Sequence, residues 1–132
     1  FMIACGNTDA HLKNWGLLWG DRVRPTLVPC YDLVSTISWE QLGWPQRGGP
    51  RLALRLGTTH RFADLDPGQI EAFASGCACP WAKDEVLAGI AQARSAARDT
   101  GVPVPARMRA ALTEHWTRVP VLRHVGTLEL NE

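Results

Sequence analysis

The sequence has little net charge, few lysines and no long hydrophobic run. Lys13 and Lys83 are its two lysines in 132 residues, and its formal net charge is +1. So small a charge gives no argument for binding nucleic acid or an acidic membrane surface. The apolar runs are far shorter than a membrane span, and no signal segment is visible. We therefore expect neither membrane insertion nor direct nucleic-acid binding.

Phosphate-binding loops are also missing. The sequence has no Gly-x-Gly-x-x-Gly and no Walker-type motif, and neither lysine lies on an early strand where it could pair with phosphates. Gly48 and Gly49 lie between two prolines, Pro45 and Pro50, which favours a mobile loop over a phosphate site.

The four cysteines do not form a metal or disulfide code. Cys77 and Cys79 are separated by one residue rather than the two of a zinc knuckle, and no paired histidines accompany them. Cys5 and Cys30 have apolar neighbours and are predicted to be small buried residues. This usage favours a reducing cytoplasm and no structural zinc.

What the sequence does contain is a set of hard oxygen ligands near its start. Asp9 and Asn14 are separated by four residues, and Asp32 follows in Tyr31-Asp32-Leu33. Asp-x-x-x-x-Asn followed by a second Asp is the order in which protein kinases present a catalytic base and two Mg²⁺ ligands. Taken alone, an Asp-x-x-x-x-Asn is more typical of an ordinary turn.

The residues between these groups predict a β-hairpin. Apolar side chains alternate over Trp15–Trp19, Gly20 and Asp21 fit a two-residue turn, and Thr26–Val28 returns as a second strand. Such a hairpin would bring Asp32 back towards Asn14, so that both could bind one metal ion.

The longer match resembles a known family. Gly6–Leu17 and Leu27–Thr36 closely resemble the C-terminal lobe of HipA-like serine/threonine kinases, the toxins of bacterial type II toxin–antitoxin pairs. The shared pattern is an Asn, a small residue and Asp, then His-x-Lys-Asn, an aromatic residue and a later Tyr-Asp pair. Leu52–Gly57 resembles the short strand that precedes the helices in that family.

The resemblance implies residue roles by position. It implies Asp9 as catalytic base, Asn14 and Asp32 as Mg²⁺ ligands, and ATP as phosphate donor. His11 and Lys13 also match the pattern; His11 could order the loop by a hydrogen bond and Lys13 could neutralise a phosphate oxygen, or both could simply order the loop. No residue of this chain is assigned to nucleotide binding, and we predict that the chain alone does not bind ATP tightly.

The remainder predicts helices. Asp66 is an N-cap before Pro67 and the first helix stops at Gly76; a second runs from near Pro80 to Gly101 and a third from about 105 to 117. His115 falls on an apolar face as a core histidine, while His60 and His124 fall in loop or tail. Further predictions group residues by expected environment. Four tryptophans are predicted to lie in the core or at its edge: Trp15, Trp19, Trp81 and Trp116. Trp39 and Trp44 are predicted to cover a core edge or to form a recognition surface. The arginines predicted to face solvent or a partner are Arg94, Arg98, Arg107, Arg109, Arg118 and Arg123.

The predicted fold is a mostly helical α+β kinase-like C-lobe, with the catalytic β-hairpin near the N-terminus and a helical bundle behind it. One domain covers 1–132: the catalytic loop, hairpin and metal-binding Asp (1–36), a loop and short strand (37–65), helices (66–118) and a tail (119–132) for which disorder is the default. Phe1–Cys5 is typical of the end of a helix whose earlier part is absent, which favours a fragment or one part of a split protein; the alternative is a native start at Met2.

The predicted function is transfer of the ATP γ-phosphate to Ser or Thr of a protein. The expected partners are the protein substrate, a HipB-like DNA-binding antitoxin, and a missing N-lobe or companion chain. One alternative is a truncated, non-catalytic lobe kept for protein–protein contact or left as a remnant; another is a small-molecule kinase, because the site does not encode its acceptor.

Overall fold

The structure is a computed structural model that describes residues 1–45, 47–99 and 101–125, and its architecture there is α+β. Its helices in these ranges are α1 (Met2–Cys5), α2 (Pro67–Gly76), α3 (Ala82–Asp99), α4 (Ala106–Arg118) and α5 (Pro120–Val125). Its strands there are β1 (Leu17–Leu18), β2 (Thr26–Leu27), β3 (Arg51–Leu56) and β4 (Thr59–Arg61). With short 3₁₀ turns included, about half of the chain is helical. The predicted α+β class is confirmed.

The first hairpin has the predicted strands but a longer connection. Strands β1 and β2 are antiparallel, with Leu17 opposite Leu27. Residues 19–25 join them, so the two-residue turn predicted at 20–21 is wrong. The Asp21 carboxylate accepts hydrogen bonds from the backbone amides of Val23 (3.0 Å) and Arg24 (2.8 Å), which holds the connection in a wider loop.

The second hairpin, β3–β4, confirms the strand predicted over 52–57. Leu56 lies opposite Thr59, and Gly57 at the turn has a φ of 60°. The pairing is irregular between Arg51 and Leu56, so six residues of β3 face three of β4.

The helix-capping and charge patterns in the sequence are found at the ends of the helices. The Asp66 carboxylate accepts a hydrogen bond from the Gln69 amide at 2.9 Å, and Pro67 is the first residue of α2. Helix α3 begins with Asp84 and Glu85 in its first turn and ends with Arg98 in its last, which complements the helix dipole.

The core lies between the helices and the second hairpin. Helix α2 packs on α3, α5 and β3, while α4 packs on α5 and on the 3₁₀ turn Thr36–Ser38. The buried apolar residues that form it are Ala4, Trp44, Phe62, Leu65, Ile70, Ile90, Trp116, Val119, Val121 and Leu122. Because Ala4 belongs to this set, the short helix before the candidate catalytic loop is anchored in the core.

Several predicted environments are wrong. Trp15, Trp19 and Trp81, predicted as core or core-edge residues, are 47%, 54% and 63% exposed, whereas Trp44 and Trp116 are buried. Alternation and helical spacing show which side chains share a face, but they do not show whether another element covers that face.

Two of the arginines predicted to face solvent or a partner donate hydrogen bonds to backbone carbonyl groups. The guanidinium group of Arg94 donates to the carbonyl of Val125 at 3.1 Å, and that of Arg109 donates to the carbonyl of Val104 at 3.2 Å. Both arginines are half-buried, as is Arg98. Their aliphatic stems therefore contribute to packing as well as to charge.

The C-terminal region is more ordered than the sequence suggests. Helix α5 buries Val121 and Leu122, and His124 lies on it, so the expected disorder is wrong for 120–125. His60, predicted in a loop, lies on β4. The rest of the predicted tail, residues 126–132, lies outside the described residues.

His115 is the buried core histidine that the apolar face of its helix predicts. It is 0% exposed, and its ring packs edge-to-face on Phe62 with centroids 4.9 Å apart. Its Nε2 lies 2.8 Å from the carbonyl oxygen of Ile3. Burial lowers the pKa of His115 from 6.5 to about 4, so the imidazole is neutral at neutral pH.

This histidine is expected to make stability depend on pH between 4 and 6.5. The unfolded chain takes up a proton near pH 6.5 and the folded protein only near pH 4, so the unfolded state binds more protons in this window. The free energy of unfolding therefore rises with pH: the contribution, on the order of 3 kcal/mol, is complete above pH 6.5 and is lost as the pH falls to 4. The free energy of unfolding, measured with urea at several pH values, should depend less steeply on pH in His115→Gln than in the parent. The two proteins have the same carboxylates, so the difference reports on His115. Equal slopes would contradict the assignment.

Candidate active site

The loop that carries the candidate site begins at Gly6, where α1 ends. Gly6 has a φ of 64°, the left-handed conformation that glycine adopts without strain. A Cβ placed there would meet Cδ1 of Ile37 at 2.5 Å. The turn and this close approach together fix the direction in which the chain leaves α1.

Gly6→Ala is therefore expected to lower the free energy of unfolding by about 1–3 kcal/mol, since alanine would have to adopt a strained φ and displace Ile37. Gly89→Ala is the matched control, because Gly89 lies inside α3 with nothing within 4 Å of the added methyl group. That change should raise stability by roughly 0.5–1 kcal/mol. Urea denaturation measures both, and changes of the same sign would contradict the account.

Asn7 links the loop to the segment that carries Asp32. Its side chain is buried; Oδ1 accepts from the Asp9 amide at 2.8 Å, and Nδ2 donates to the Asp32 carbonyl at 3.2 Å. Sequence reasoning gave Asn7 no role, although it is the Asn of the Asn-small-Asp pattern. Its contacts join two segments 25 residues apart, which local sequence does not reveal.

Thr36 makes a second link that the sequence did not reveal. Its hydroxyl oxygen accepts from the Thr8 amide at 2.6 Å and its O–H donates to the Gly6 carbonyl at 3.1 Å. Thr36 is 5% exposed. Thr36 thereby forms hydrogen bonds with the backbone of both Gly6 and Thr8, just before Asp9.

Asn14 and Asp32 lie together, as the predicted hairpin requires. Asn14 Nδ2 donates to the Asp32 carboxylate at 2.7 Å and to the Asp9 carbonyl at 3.0 Å. Two acceptors can be met only by the NH₂ end of the amide. The Asn14 carbonyl oxygen takes no part in these two bonds, and rotation of the amide group would bring it to the side of the Asp32 carboxylate.

Asp32 adopts a conformation that is uncommon for its residue type. Its φ is 58°, in the left-handed region, which Asp and Asn tolerate better than most residues. Its carbonyl accepts from the Val34 amide at 3.2 Å as well as from Asn7. Unusual backbone conformations that are held by neighbouring groups concentrate at functional sites.

The Asp9 carboxylate is half-exposed and close to His11. His11 Nε2 lies 3.1 Å from Asp9 Oδ1, and the two side chains are 48% and 50% exposed. In the described ranges no other hydrogen bond to this carboxylate is formed, so its second oxygen has no partner there. The neighbouring Asp9 amide and carbonyl are bound by Asn7 and Asn14, which fixes the backbone without using the carboxylate.

Lys13 is exposed, and Tyr31 contacts its backbone. The Tyr31 hydroxyl donates to the Lys13 carbonyl at 2.8 Å, which joins the loop to the segment just before Asp32. Tyr31 is the Tyr of the Tyr-Asp pair in the sequence pattern. The role of the Lys13 ammonium group stays a prediction.

The donor set fits Mg²⁺ better than a softer metal. Nowhere in the described part of the chain do three or more His, Cys, Asp or Glu side chains group around a common metal position. The site instead offers the Asp32 carboxylate and the Asn14 carbonyl oxygen. Mg²⁺ commonly uses one or two protein oxygen ligands and completes its shell with phosphate oxygens and water.

The cysteines take no part in this site. All four thiols are free, and Cys30 is exposed, so its predicted burial is wrong. Cys5 is half-buried and donates to the Val34 carbonyl at 3.5 Å. Burial raises the pKa of Cys5 to about 11, so its thiol is protonated and unreactive at neutral pH.

Comparison with known proteins identifies the family. The family model described as the HipA-like C-terminal domain matches residues 1–107. The chain belongs to this family. The match covers the loop, the first hairpin, Asp32, the second hairpin, α2 and α3, and it ends at the start of α4.

Two relatives of this HipA-like domain come from Sinorhizobium fredii (strain NBRC 101917 / NGR234). The chain is 35% identical over 74 residues to the protein named "Putative kinase Y4mE", an alignment that covers 56% of this chain and 16% of that protein. It is 37% identical over 75 residues to "Putative kinase Y4dM", covering 57% of this chain and 17% of that protein. The matched part is thus about a sixth of each relative's length. These names and the family match establish a relationship to kinases.

No solved structure matches this HipA-like domain. In the ranges that the structure describes, no helix combines the length and apolar character that crossing a bilayer requires.

Proposed function

We propose that this HipA-like domain is the catalytic C-terminal part of a serine/threonine-protein kinase with a kinase-like C-lobe fold. The observation that carries the proposal is the position of the Asn14 amide, which hydrogen-bonds the Asp32 carboxylate and the Asp9 backbone together. Asp9, Asn14 and Asp32 are thereby close together, which supports their assignment as a base and two oxygen ligands of one phosphoryl-transfer site.

Each side chain has one task in this proposal. Asp9 accepts the proton of the attacking hydroxyl group through its open carboxylate oxygen. Asn14 and Asp32 would hold Mg²⁺, which when bound neutralises charge on the phosphate groups. His11 orients the Asp9 carboxylate by its 3.1 Å contact, and Lys13 offers an exposed cation to a phosphate oxygen.

The ATP-binding surface is proposed to need more chain than is present here. The cavity beside Asn14, lined mainly by apolar residues of β2 and its flanks, has a volume of about 30 Å³. That is about the space of one water molecule, whereas small-molecule pockets measure roughly 300–1,000 Å³. An N-lobe or companion chain would enclose the nucleotide. We therefore predict weak ATP binding by the chain alone; micromolar Mg·ATP affinity in calorimetry would overturn this.

The biological setting follows from the family resemblance. A HipA-like kinase that phosphorylates a protein on Ser or Thr would act as the toxin of a toxin–antitoxin pair, with a HipB-like DNA-binding protein as antitoxin. The positions of Asn14 and Asp32 and the exposed Asp9 carboxylate support the proposed chemistry. They do not bear on the toxin role or on the antitoxin. The acceptor is set by surfaces outside this site.

The test is a transfer reaction with the full-length protein that contains this domain. Incubation with γ-labelled ATP and Mg²⁺, followed by mass spectrometry, should locate the phosphate on Ser or Thr of a protein. Phosphate on a metabolite would instead show a small-molecule kinase. No transfer to any acceptor, by a protein that binds Mg·ATP, would refute the catalytic proposal.

A non-catalytic interaction module is the second candidate, and one observation favours it. The first hairpin and its flanks expose many large apolar residues, namely Leu12, Trp15, Leu17, Leu18, Trp19, Val23, Leu27 and Tyr31. Exposed apolar surface of this kind marks contact with another protein segment. Equal activity or toxicity of the parent and of Asp9→Asn would favour this candidate.

A further inference from the structure

Two side chains of α4 hydrogen-bond the carbonyl groups at the end of α1. His115 Nε2 lies 2.8 Å from the Ile3 carbonyl oxygen, and Trp116 Nε1–H donates to the Ala4 carbonyl oxygen at 3.0 Å. Each contact joins residues 112 positions apart in the sequence. Both side chains are almost completely buried, at 0% and 2% exposure.

The carbonyl groups that they contact belong to a helix that is too short to be stable on its own. Helix α1 has four residues, and the last carbonyl groups of any helix lack partners within it. Helices of this length are unstable on their own, so their position depends on tertiary contacts. Here α1 packs on α3, and two neighbouring donors on one turn of the much longer α4 bond its carbonyl groups.

The protonation state of His115 suits this contact. A neutral imidazole carries one N–H, and the acceptor beside Nε2 requires the proton to be on that nitrogen. Nδ1 then carries only a lone pair, and within the described residues it has no hydrogen-bond partner. The low pKa of His115 keeps the ring in this neutral form.

We infer that His115 and Trp116 are positioning residues for the catalytic loop, because they fix the end of α1 from which Gly6–Asp9 extends. The inference rests on the proposed function of Asp9. The loop begins two residues after Ala4, so a shift of the end of α1 would also shift the backbone whose hydrogen bonds to Asn7 and Thr36 place Asp9. Both residues lie beyond the matched range 1–107, so the family match does not assign them.

Amide hydrogen exchange tests the structural half of this inference without any need for activity. The Thr8 and Asp9 amides report directly, because they donate to Thr36 Oγ1 and Asn7 Oδ1. Trp116→Phe keeps an aromatic side chain, although a smaller one, and removes the donor, and it should raise exchange at both amides by roughly fivefold to tenfold. His115→Leu should act likewise, whereas His115→Gln, which retains a donor, should remain close to the parent.

A matched control separates positioning from general destabilisation. Val121→Ala removes buried volume from α5, and the Val121 backbone bonds Leu65 rather than α1. It should lower stability without a selective rise in exchange at Thr8 and Asp9. Unchanged exchange in Trp116→Phe, or the same selective rise in Val121→Ala, would overturn the inference.

The catalytic half is measured in the full-length protein. Per folded molecule, Trp116→Phe should lower kcat by up to about 10²-fold while the KM for ATP is nearly unchanged, because misplacement of the base affects the chemical step. His115→Gln should retain kcat. If Trp116→Phe changed only the KM for ATP and left kcat unchanged, the inference would be overturned. If the parent transfers no phosphate, the proposed function fails while the exchange measurement still decides whether α4 fixes the loop.

Discussion

Asp9→Asn is expected to slow phosphoryl transfer by about 10²–10⁴-fold, the usual contribution of a general base. Asparagine has nearly the same shape but cannot accept the proton of the attacking hydroxyl group. The fold should be unaffected, because Asn7 and Asn14 bind the backbone of Asp9 rather than its carboxylate. Steady-state transfer from labelled ATP, measured in the full-length protein, gives the ratio.

Asp21→Asn is the matched control for this loss. It removes one exposed carboxylate from the hairpin loop, where backbone amides of Val23 and Arg24 lower the pKa of Asp21. The transfer rate should be unchanged, since Asp21 bonds only its own loop in the described structure. An Asp9→Asn protein as fast as the parent, or an equal loss in Asp21→Asn, would show that Asp9 is not the base.

Asp32→Asn is expected to reduce affinity for the divalent ion by more than about 100-fold. Loss of a group that only hydrogen-bonds a metal ligand costs roughly 10–100-fold, and Asp32 is proposed to bind the ion directly. Asparagine tolerates the left-handed φ of 58° and can still accept from the Asn14 amide, so only the ligand charge is lost. Transfer activity should fall with it, and high Mg²⁺ should restore part of the activity. Activity titrated against Mg²⁺ measures the change.

Asp32→Gly separates the backbone conformation from the carboxylate. Glycine adopts a positive φ freely, so this variant should fold while losing metal-dependent activity. If Asp32→Gly remained active with the parent's Mg²⁺ dependence, the turn alone would matter and Asp32 would not be a metal ligand.

Local signals in the sequence predicted the elements that hold the site. The alternation around Leu17 gave the first hairpin, Asp66 and Pro67 gave the start of α2, and Pro80 and Gly101 gave the approximate limits of α3. These are short-range effects of turn chemistry, capping and periodicity, which depend little on the rest of the fold.

Contacts between distant segments could not be predicted in this way. Asn7 and Thr36 bind partners 25 and 28 residues away, and His115 binds one 112 residues away. A residue type permits such bonds, but only the fold decides the partner. The wrong burial of Trp15 has the same cause, since alternation does not show whether a face is covered.

The most direct test of the shared metal site is Mn²⁺-induced line broadening in NMR spectra of the isotope-labelled protein. Mn²⁺ replaces Mg²⁺ at oxygen sites, and broadening reports its position even when binding is weak. The account predicts selective broadening of the Asn14 side-chain amide and the Asp32 and Asp9 backbone amides, which disappears in Asp32→Asn and persists in Asp21→Asn. Broadening centred elsewhere, or unchanged in Asp32→Asn, would contradict the claim that Asn14 and Asp32 bind one metal ion beside Asp9.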